Sequence, residues 1–164
     1  MVFGNIFNCW HSIHYKTQKN NRKRMTEREK TTMGTFKNME EAREYFKKDR
    51  FATENGMHLD ELTDEYSVCS VELTDKHKNA NGGIMGGVIF TLADLAFAAL
   101  INQVHMPAVA QQVSINYLNA PKGDKLVATA HIIKNGRSSA VINVHVVDNQ
   151  ERMVAQFVGT GFKL

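Results

Sequence analysis

Between Lys78 and His105 the chain carries one charged side chain, Asp94. The apolar residues around it, among them Val88, Ile89, Leu92, Leu95, Phe97 and Leu100, cover most of a helical circumference, so the segment reads as a helix buried nearly all round. Four glycines, three asparagines, a glutamine and the aspartate interrupt the stretch from Asn79 to Val104, which makes it a poor membrane span. A core helix is the better reading, and it needs a partner that covers most of its surface. The 164 residues, 43% of them hydrophobic, suffice for one globular domain that buries such a helix.

The partner is legible in the last third of the chain, which reads as a meander of antiparallel strands. Val109, Gln111, Val113, Ile115 and Tyr117 alternate and are expected to share one face, and the run ends in a turn from Asn119 to Asp124 that contains Pro121 and Gly123. Leu126 to Ile133 reads as a second strand. Asn135 and Gly136 form a two-residue hairpin signal leading into Ala140 to Val147. Asp148 to Glu151 turns the chain into a last strand, Met153 to Phe162. Upstream, Asn38 is placed to cap a helix running to about Arg50, with Glu41 three positions later and Met39, Ala42, Tyr45 and Phe46 at helical spacing. After the Asn55-Gly56 turn, Ser67 to Leu73 alternates as a strand does, with Cys69 as a small core residue. One long apolar helix followed by antiparallel strands predicts an α+β arrangement with the helix lying on one face of the sheet.

Charge divides the chain unevenly. Residues 1 to 30 hold seven Lys or Arg against two Glu, and the remainder holds thirteen basic against fifteen acidic residues. Residues 1–37 are therefore expected to be a basic, disordered N-terminal extension, and residues 38–164 the folded domain. No helix-turn-helix, zinc-finger or RNP pattern accompanies the basic cluster, so a nucleic-acid partner is not expected. The start has no leading positive charge and no small-residue cleavage site ahead of the basic cluster, unlike a secretory signal. Two cysteines, Cys9 and Cys69, form neither a disulfide framework nor a four-thiolate zinc site, which points to the reducing cytoplasm. The histidines form no zinc-protease motif, and no metal is expected. A Ser-hydrolase elbow, a Walker loop and a Rossmann fingerprint are all missing from the sequence.

What chemistry there is should gather on the apolar helix. A lone carboxylate there costs several kcal/mol unless it is paired, hydrogen-bonded or protonated, and groups kept at that cost are often functional. The structural alternative is an Asp that bonds neighbouring backbone or caps a helix restarting after a break. Gly86 and Gly87 precede the helix with no side chains to block approach, and helix N-terminal amides suit a carbonyl that becomes an oxyanion. Plain turn or packing roles would also use glycines. Asp94 lies eight residues beyond Gly86, roughly 12 Å along a helix axis, so the two do not easily serve one carbonyl within a subunit. Joint action predicts a two-fold dimer whose antiparallel helices build two composite sites.

These residues resemble the hotdog-fold acyl-CoA thioesterases of the PaaI type over roughly residues 38 to 164. The resemblance rests on Asp49 to Ala52 leading to Gly56, on Asn79 to Asp94, on Ile115 to Pro121 with Gly123-Asp124, and on the hairpin at Gly136 to Ser138. It implies an antiparallel sheet wrapped around a long central helix, a homodimer, commonly paired into a homotetramer, and hydrolysis of an acyl-CoA substrate without a separate cofactor. Gly86 matches the glycine whose amide polarises the thioester carbonyl. Asp94 matches the acidic residue from the opposing subunit that activates water or attacks directly, with the base preferred because a buried Asp has a raised pKa. Asn79 matches the asparagine that helps hold the water or the carbonyl.

Substrate-binding positions that the resemblance implies are Gly87, Gln111, Gln112, Gly136, Arg137 and Ser138, where the coenzyme would lie against the strand edges and Arg137 would meet a phosphate or the adenine end. Ile84, Phe90, Leu95 and Phe97 are acyl-tunnel candidates. Two departures stand out. Met85 occupies a position that many relatives fill with His, and Ala110 one that some fill with Ser or Thr. A non-catalytic acyl-CoA-binding module, recognised by ligand-dependent stabilisation without turnover, is the alternative function. A related dehydratase would need a catalytic His near the helix, where Met85 stands.

Overall fold

The computed structural model describes residues 34–164. The basic extension expected over residues 1–37 lies, up to Met33, outside the described residues, as do Cys9, His11 and His14. In chain order the elements are α1 (Met39–Phe46), α2 (Arg50–Glu54), β1 (Met57–Leu62), β2 (Tyr66–Glu72), a 3-10 turn at Asp75–His77, α3 (Gly86–Val104), β3 (Ala108–Tyr117), β4 (Lys125–Asn135), β5 (Ser139–Asp148) and β6 (Met153–Lys163). The strands form one antiparallel six-stranded sheet in the order β1-β2-β4-β5-β6-β3. α3 touches all six of them, which is the α+β hotdog arrangement of a sheet curled around a central helix.

Alternation builds the inner wall. Ala140, Ile142, Val144 and Val146 of β5 are buried while the residues between them are not, and Leu126, Ala128 and Ala130 of β4 repeat the pattern. Against this wall α3 lays Leu92, Ala96, Phe97, Leu100 and Ile101. Close approach is possible because β6 offers glycine where the helix is bulkiest. A Cβ at Gly159 would lie 2.7 Å from a Phe97 ring carbon, and one at Gly161 would lie 2.5 Å from Ile101 Cγ1. The polar groups that α3 buries are matched. Ser67 Oγ donates to Ala96 O at 2.6 Å, Asn102 bonds both Ala98 O and the backbone of Ala108, and Gln103 accepts from Phe36 N and donates to Asp64. α3 is apolar and long enough to span a membrane by length and composition, yet it is mostly buried inside the sheet. Phe36 also joins the core and Thr35 N donates to Gln103 O, so packing begins ahead of Asn38.

Several local expectations change. The predicted cap forms, with Asn38 Oδ1 accepting from Glu41 N at 2.9 Å, but α1 ends at Phe46 instead of running to Arg50. Asp49 leaves helical geometry (φ −78°, ψ 74°) and the chain restarts as α2. β1 is an addition to the expected strands. Its burial alternates at Met57 and Leu59, but three charged or titratable residues within six mask the pattern. The hairpin after β4 turns at Arg137-Ser138 and not at Asn135-Gly136. Asn135 pairs with Ala140, Gly136 N donates to Ser139 O, and the Asn135 side chain is taken by His105 Nε2 at 2.6 Å. Finally, a β-bulge between Ala110 and Gln112 inserts an extra residue and reverses the alternation. Val113 and Ile115 pack on the core, whereas Val109 is left exposed and Gln111 leaves their face.

One buried carboxylate ties together the end of the sheet near Tyr117. Asp148 accepts from the backbone amides of Lys122 (2.8 Å), Gly123 (3.3 Å), Gln150 (3.0 Å) and Arg152 (2.9 Å). Burial alone would raise its pKa; the four amide donors prevail and hold it at about 2. Its stabilisation is therefore complete above the unfolded carboxylate pKa of about 4 and is lost as pH falls toward about 2. Asp148→Asn, which keeps one acceptor oxygen and turns a donor toward amide donors, is expected to cost roughly 3 kcal/mol. Urea unfolding at pH 7 measures that loss, and unfolding at pH 4 and pH 2.5 should show the wild type converging on the variant.

Candidate active site

The N-terminus of α3 is open. Met85 is the cap residue (φ −64°, ψ 131°) but makes no side-chain cap bond, and the first turn holds no acidic residue. The Gly86 and Gly87 amides meet no acceptor among the described residues, so the positive end of the helix dipole is available to a ligand oxygen. The segment leading in is fixed from behind. Buried His77 accepts from Thr74 N through Nδ1 and donates through Nε2 to Asn55 O, and Met85 N donates to His77 O at 2.9 Å. Asn79 organises the loop between: its Oδ1 accepts from Asn81 N and Gly83 N, while its backbone bonds Gly82 and Gly83. Gly82 sits at φ +79°, where glycine is strongly preferred. Within this loop Asn79 is a structural residue whose side-chain NH2 remains free to donate outward.

Asp94 stands partway along α3, which runs unbroken from Gly86 to Val104. The cap-after-a-break alternative is thereby removed. Its carboxylate makes no hydrogen bond or ion pair with any described residue. Along the helix Gly87, Thr91, Asp94 and Ala98, at spacings of four, three and four, share one face and are not fully buried, while Gly86, Val88, Phe90 and Val104 are half-buried on its other faces. Burial pushes the Asp94 pKa up, and the negative charge of Asp49 pushes it further.

The remaining sequence-predicted residues lie at the far end of the sheet. Ala108 pairs with Lys163, Asn135 with Ala140 and Ser139 with Phe162, so the Gly136–Ser138 turn lies at the C-terminal end of α3, while Gln111 and Gln112, beside Gly161 and Thr160, lie level with the helix's last turns near Phe97 and Ile101. Arg137 is exposed and forms no ion pair among the described residues. Gly86 and Gly87 sit at the opposite end, roughly 28 Å away along the 19-residue helix. One protomer thus separates the amides from the Gln and Arg positions and leaves Asp94 between them.

Of the tunnel candidates, Phe97 is fully buried against Phe157, with ring centroids 5.8 Å apart, and belongs to the core. Phe90 packs edge-on against the same ring at 5.6 Å, and Ile84 is half-buried. Leu95 instead borders a cleft of about 460 Å³ whose walls include Phe46, Met57, Arg43 and His58. Cys69 is buried, and burial, then the charge of Asp60, pushes its thiol pKa far up, which suits a core residue and not a nucleophile. No group of three His, Cys, Asp or Glu among the described residues is arranged to hold a metal ion.

Two residues that sequence reasoning does not single out belong here. Tyr117 reaches across from β3 so that its hydroxyl lies 3.1 Å from Gly86 O. Asp49, at the α1–α2 corner, is the charge that acts on Asp94. Strand alternation makes Tyr117 one more residue of an apolar face, and nothing local marks it otherwise.

Comparison with known proteins identifies the family. The Thioesterase superfamily matches residues 81–155, a span that includes Gly86, Gly87, Asp94, Gln111, Gln112, Tyr117 and Gly136–Ser138 but not Asp49 or Asn79. Acyl-coenzyme A thioesterase PaaI of Escherichia coli is 29% identical over 131 residues, covering 79% of this chain and 94% of its own. Its structure superposes with a TM-score of 0.71 over 75% of this chain and 90% of that one. The TT0310 protein of Thermus thermophilus is 32% identical, with a TM-score of 0.67 over 71% of this chain and 98% of its own. A Streptococcus mutans protein with acetyl-CoA bound is 30% identical, with a TM-score of 0.62 over 65% and 87% of the two chains. The chain belongs to the thioesterase superfamily, among its PaaI-type hotdog enzymes.

The electrostatics of Asp94 are open to direct titration. Removing the neighbouring negative charge makes the Asp94 carboxylate easier to form, so Asp49→Asn should lower its pKa. Carboxyl ¹³C NMR titration checks this: the expected midpoint lies above the ordinary Asp value in the wild type and moves toward it in the variant.

Proposed function

We propose that the protein hydrolyses an acyl-CoA thioester, R–CO–S–CoA, to the free acid and CoA–SH at a site shared between two protomers. The observation that carries this reading is the unpaired carboxylate of Asp94, held half-buried on the Gly87-Thr91-Asp94-Ala98 face of a mostly buried helix. An antiparallel partner helix packed along Gly87, Thr91, Asp94 and Ala98 would bring the partner's free α3 N-terminus alongside Asp94 and toward the Gln111, Gln112 and Arg137 end. The 28 Å separation within one chain, roughly the length of α3, is what such a two-fold arrangement would close.

In this site the Gly86 amide, with Gly87 beside it, donates to the thioester oxygen and stabilises the oxyanion that forms. Asp94 takes a proton from water as that water attacks the carbonyl carbon. The tetrahedral intermediate collapses, the C–S bond breaks, and the thiolate leaves to be protonated. A raised pKa favours the base role over direct attack, because it makes Asp94 a better proton acceptor. Asn79 presents its free NH2 to the water or the carbonyl. Gln111, Gln112, Gly136, Arg137 and Ser138 bind the coenzyme, with Arg137 free to meet a phosphate. Coenzyme A is part of the substrate, and no further cofactor is invoked. Met85, 53% exposed, replaces a polar side chain with an apolar one at the mouth, which should affect rate or acyl preference more than reaction type.

The names of the E. coli relative and of the acetyl-CoA complex from S. mutans support CoA thioesters as the substrate class. Such a substrate fits a cytoplasmic setting, as does the free, buried Cys69. For a homotetramer, the outer sheet face is the surface available to a second dimer. There Val68, Val127, Val141 and Val158 are half-buried beside a hydrogen-bonded set of Asn143, His145 and Gln156.

Free-thiol release over short, medium, long and aromatic acyl-CoAs tests the reading, with light scattering to give the assembly. Asp94→Asn is expected to lower kcat by about 10²- to 10⁴-fold. The same change should stabilise the fold at pH 7. A carboxyl with a raised folded pKa binds more protons folded than unfolded, so its contribution falls as pH rises through that window, and a neutral isostere avoids the loss. Binding of CoA thioesters by a folded dimer with no turnover would instead make the protein an acyl-CoA-binding module.

A further inference from the structure

The peptide unit between Gly86 and Gly87 is held by a side chain from the opposite edge of the sheet. Tyr117 closes β3, where its pairing with Ala155 of β6 fixes its place. From there its hydroxyl donates to Gly86 O at 3.1 Å. Its ring lies flat enough over the glycine that an added Cβ would meet Cζ at 3.3 Å and Cε1 and Oη at 3.4 Å. No side chain caps α3 and its first turn has no charged residue, so this is the one side-chain hydrogen bond to the first turn from another element among the described residues.

The consequence follows from peptide geometry. Gly86 O and Gly87 N belong to the same planar unit, so fixing the carbonyl direction fixes the amide direction. No β-carbon resists rotation of this Gly-Gly unit, so its direction is held by the helical bond that Gly86 O accepts from Phe90 N and by the Tyr117 hydroxyl on the same oxygen. A rotation that turned the Gly87 N–H away would forfeit the Tyr117 bond. A donor on the carbonyl also polarises the unit and makes its N–H a stronger donor. Gly86 N is oriented separately, through Met85 O, which accepts from Val88 N at 3.0 Å.

We infer that Tyr117 is a positioning residue that holds the Gly86–Gly87 peptide so that both amides face one oxyanion, and that it does so without touching the substrate. The inference rests on the proposed role of these amides in thioester hydrolysis. The variant is Tyr117→Phe, which keeps the ring over Gly86 and removes only the hydroxyl. The expected result is a fall in kcat of about tenfold, well short of the hundredfold or more that losing an oxyanion donor costs. KM should stay within about twofold, because ground-state binding is little affected. Two readouts separate positioning from a structural role. The melting temperature should be nearly unchanged, and the Gly87 amide ¹H resonance should move upfield as its peptide loses polarisation. An unchanged kcat, a loss confined to KM, or a loss that tracks the folded fraction would each overturn the inference. If the wild type itself turns over no acyl-CoA, the proposed function fails instead, while the Gly87 resonance still reports whether Tyr117 holds the peptide.

Discussion

Everything in this molecule depends on how closely the sheet can approach α3. The contact is closest at β6, where Gly159 and Gly161 leave no room for even a methyl group beside Phe97 and Ile101. That fit lets six strands share one helix and leaves the Gly87-Thr91-Asp94-Ala98 face incompletely covered. Apolar burial at about 25 cal/mol per Å² is what drives the wrapping. The buried side chains of Asn102 and Gln103 on α3, and Ser67 against it, are tolerated because they are hydrogen-bonded.

Asp94 is the exception, and the exception lies on the incompletely covered face. Asp148, the fully buried acid, is satisfied by four backbone amides. Asp94 has no such donors, and its neighbour Asp49 makes the charged form still less favourable. A carboxylate left in this condition is suited to accept a proton, at the expense of stability, which is a common compromise at functional sites. At the N-terminus of the same helix, amides without acceptors among the described residues sit on a pair of glycines. In the proposed mechanism the helix carries a base and oxyanion-stabilising amides too far apart to cooperate alone, and a two-fold neighbour is the simplest means of joining them.

The outline of this arrangement is legible in the sequence because it is written in strong periodicities. The nearly charge-free run around Asp94 marks the enclosed helix, and the alternation in Leu126–Ile133 and Ala140–Val147 marks the central strands. What escapes is set by tertiary context. β1 is too short and too charged to show its alternation, although Met57 and Leu59 carry it. The bulge at Ala110–Gln112 inverts a face that strict alternation assigns to Val109 and Gln111. Asn135 is diverted from turn chemistry by His105, a residue thirty positions away. Tyr117 reads as wall yet touches the helix end, a role that depends on the β3–β6 register and that no local pattern encodes.

The most direct test of the shared site uses two inactive partners. Gly86→Pro removes the proposed oxyanion amide at the first helical position, where the backbone suits proline and Met85 already has the extended conformation that precedes one, the exposed Tyr117 ring shifting slightly to admit the new Cβ. Protomers carrying Gly86→Pro are refolded together with protomers carrying Asp94→Asn, and thiol release is measured on the mixture. If each site draws its amide from one subunit and its carboxylate from the other, mixed dimers regain one intact site. Random pairing then restores roughly a quarter of wild-type activity from two variants that have almost none. A mixture no more active than either variant alone would contradict the account.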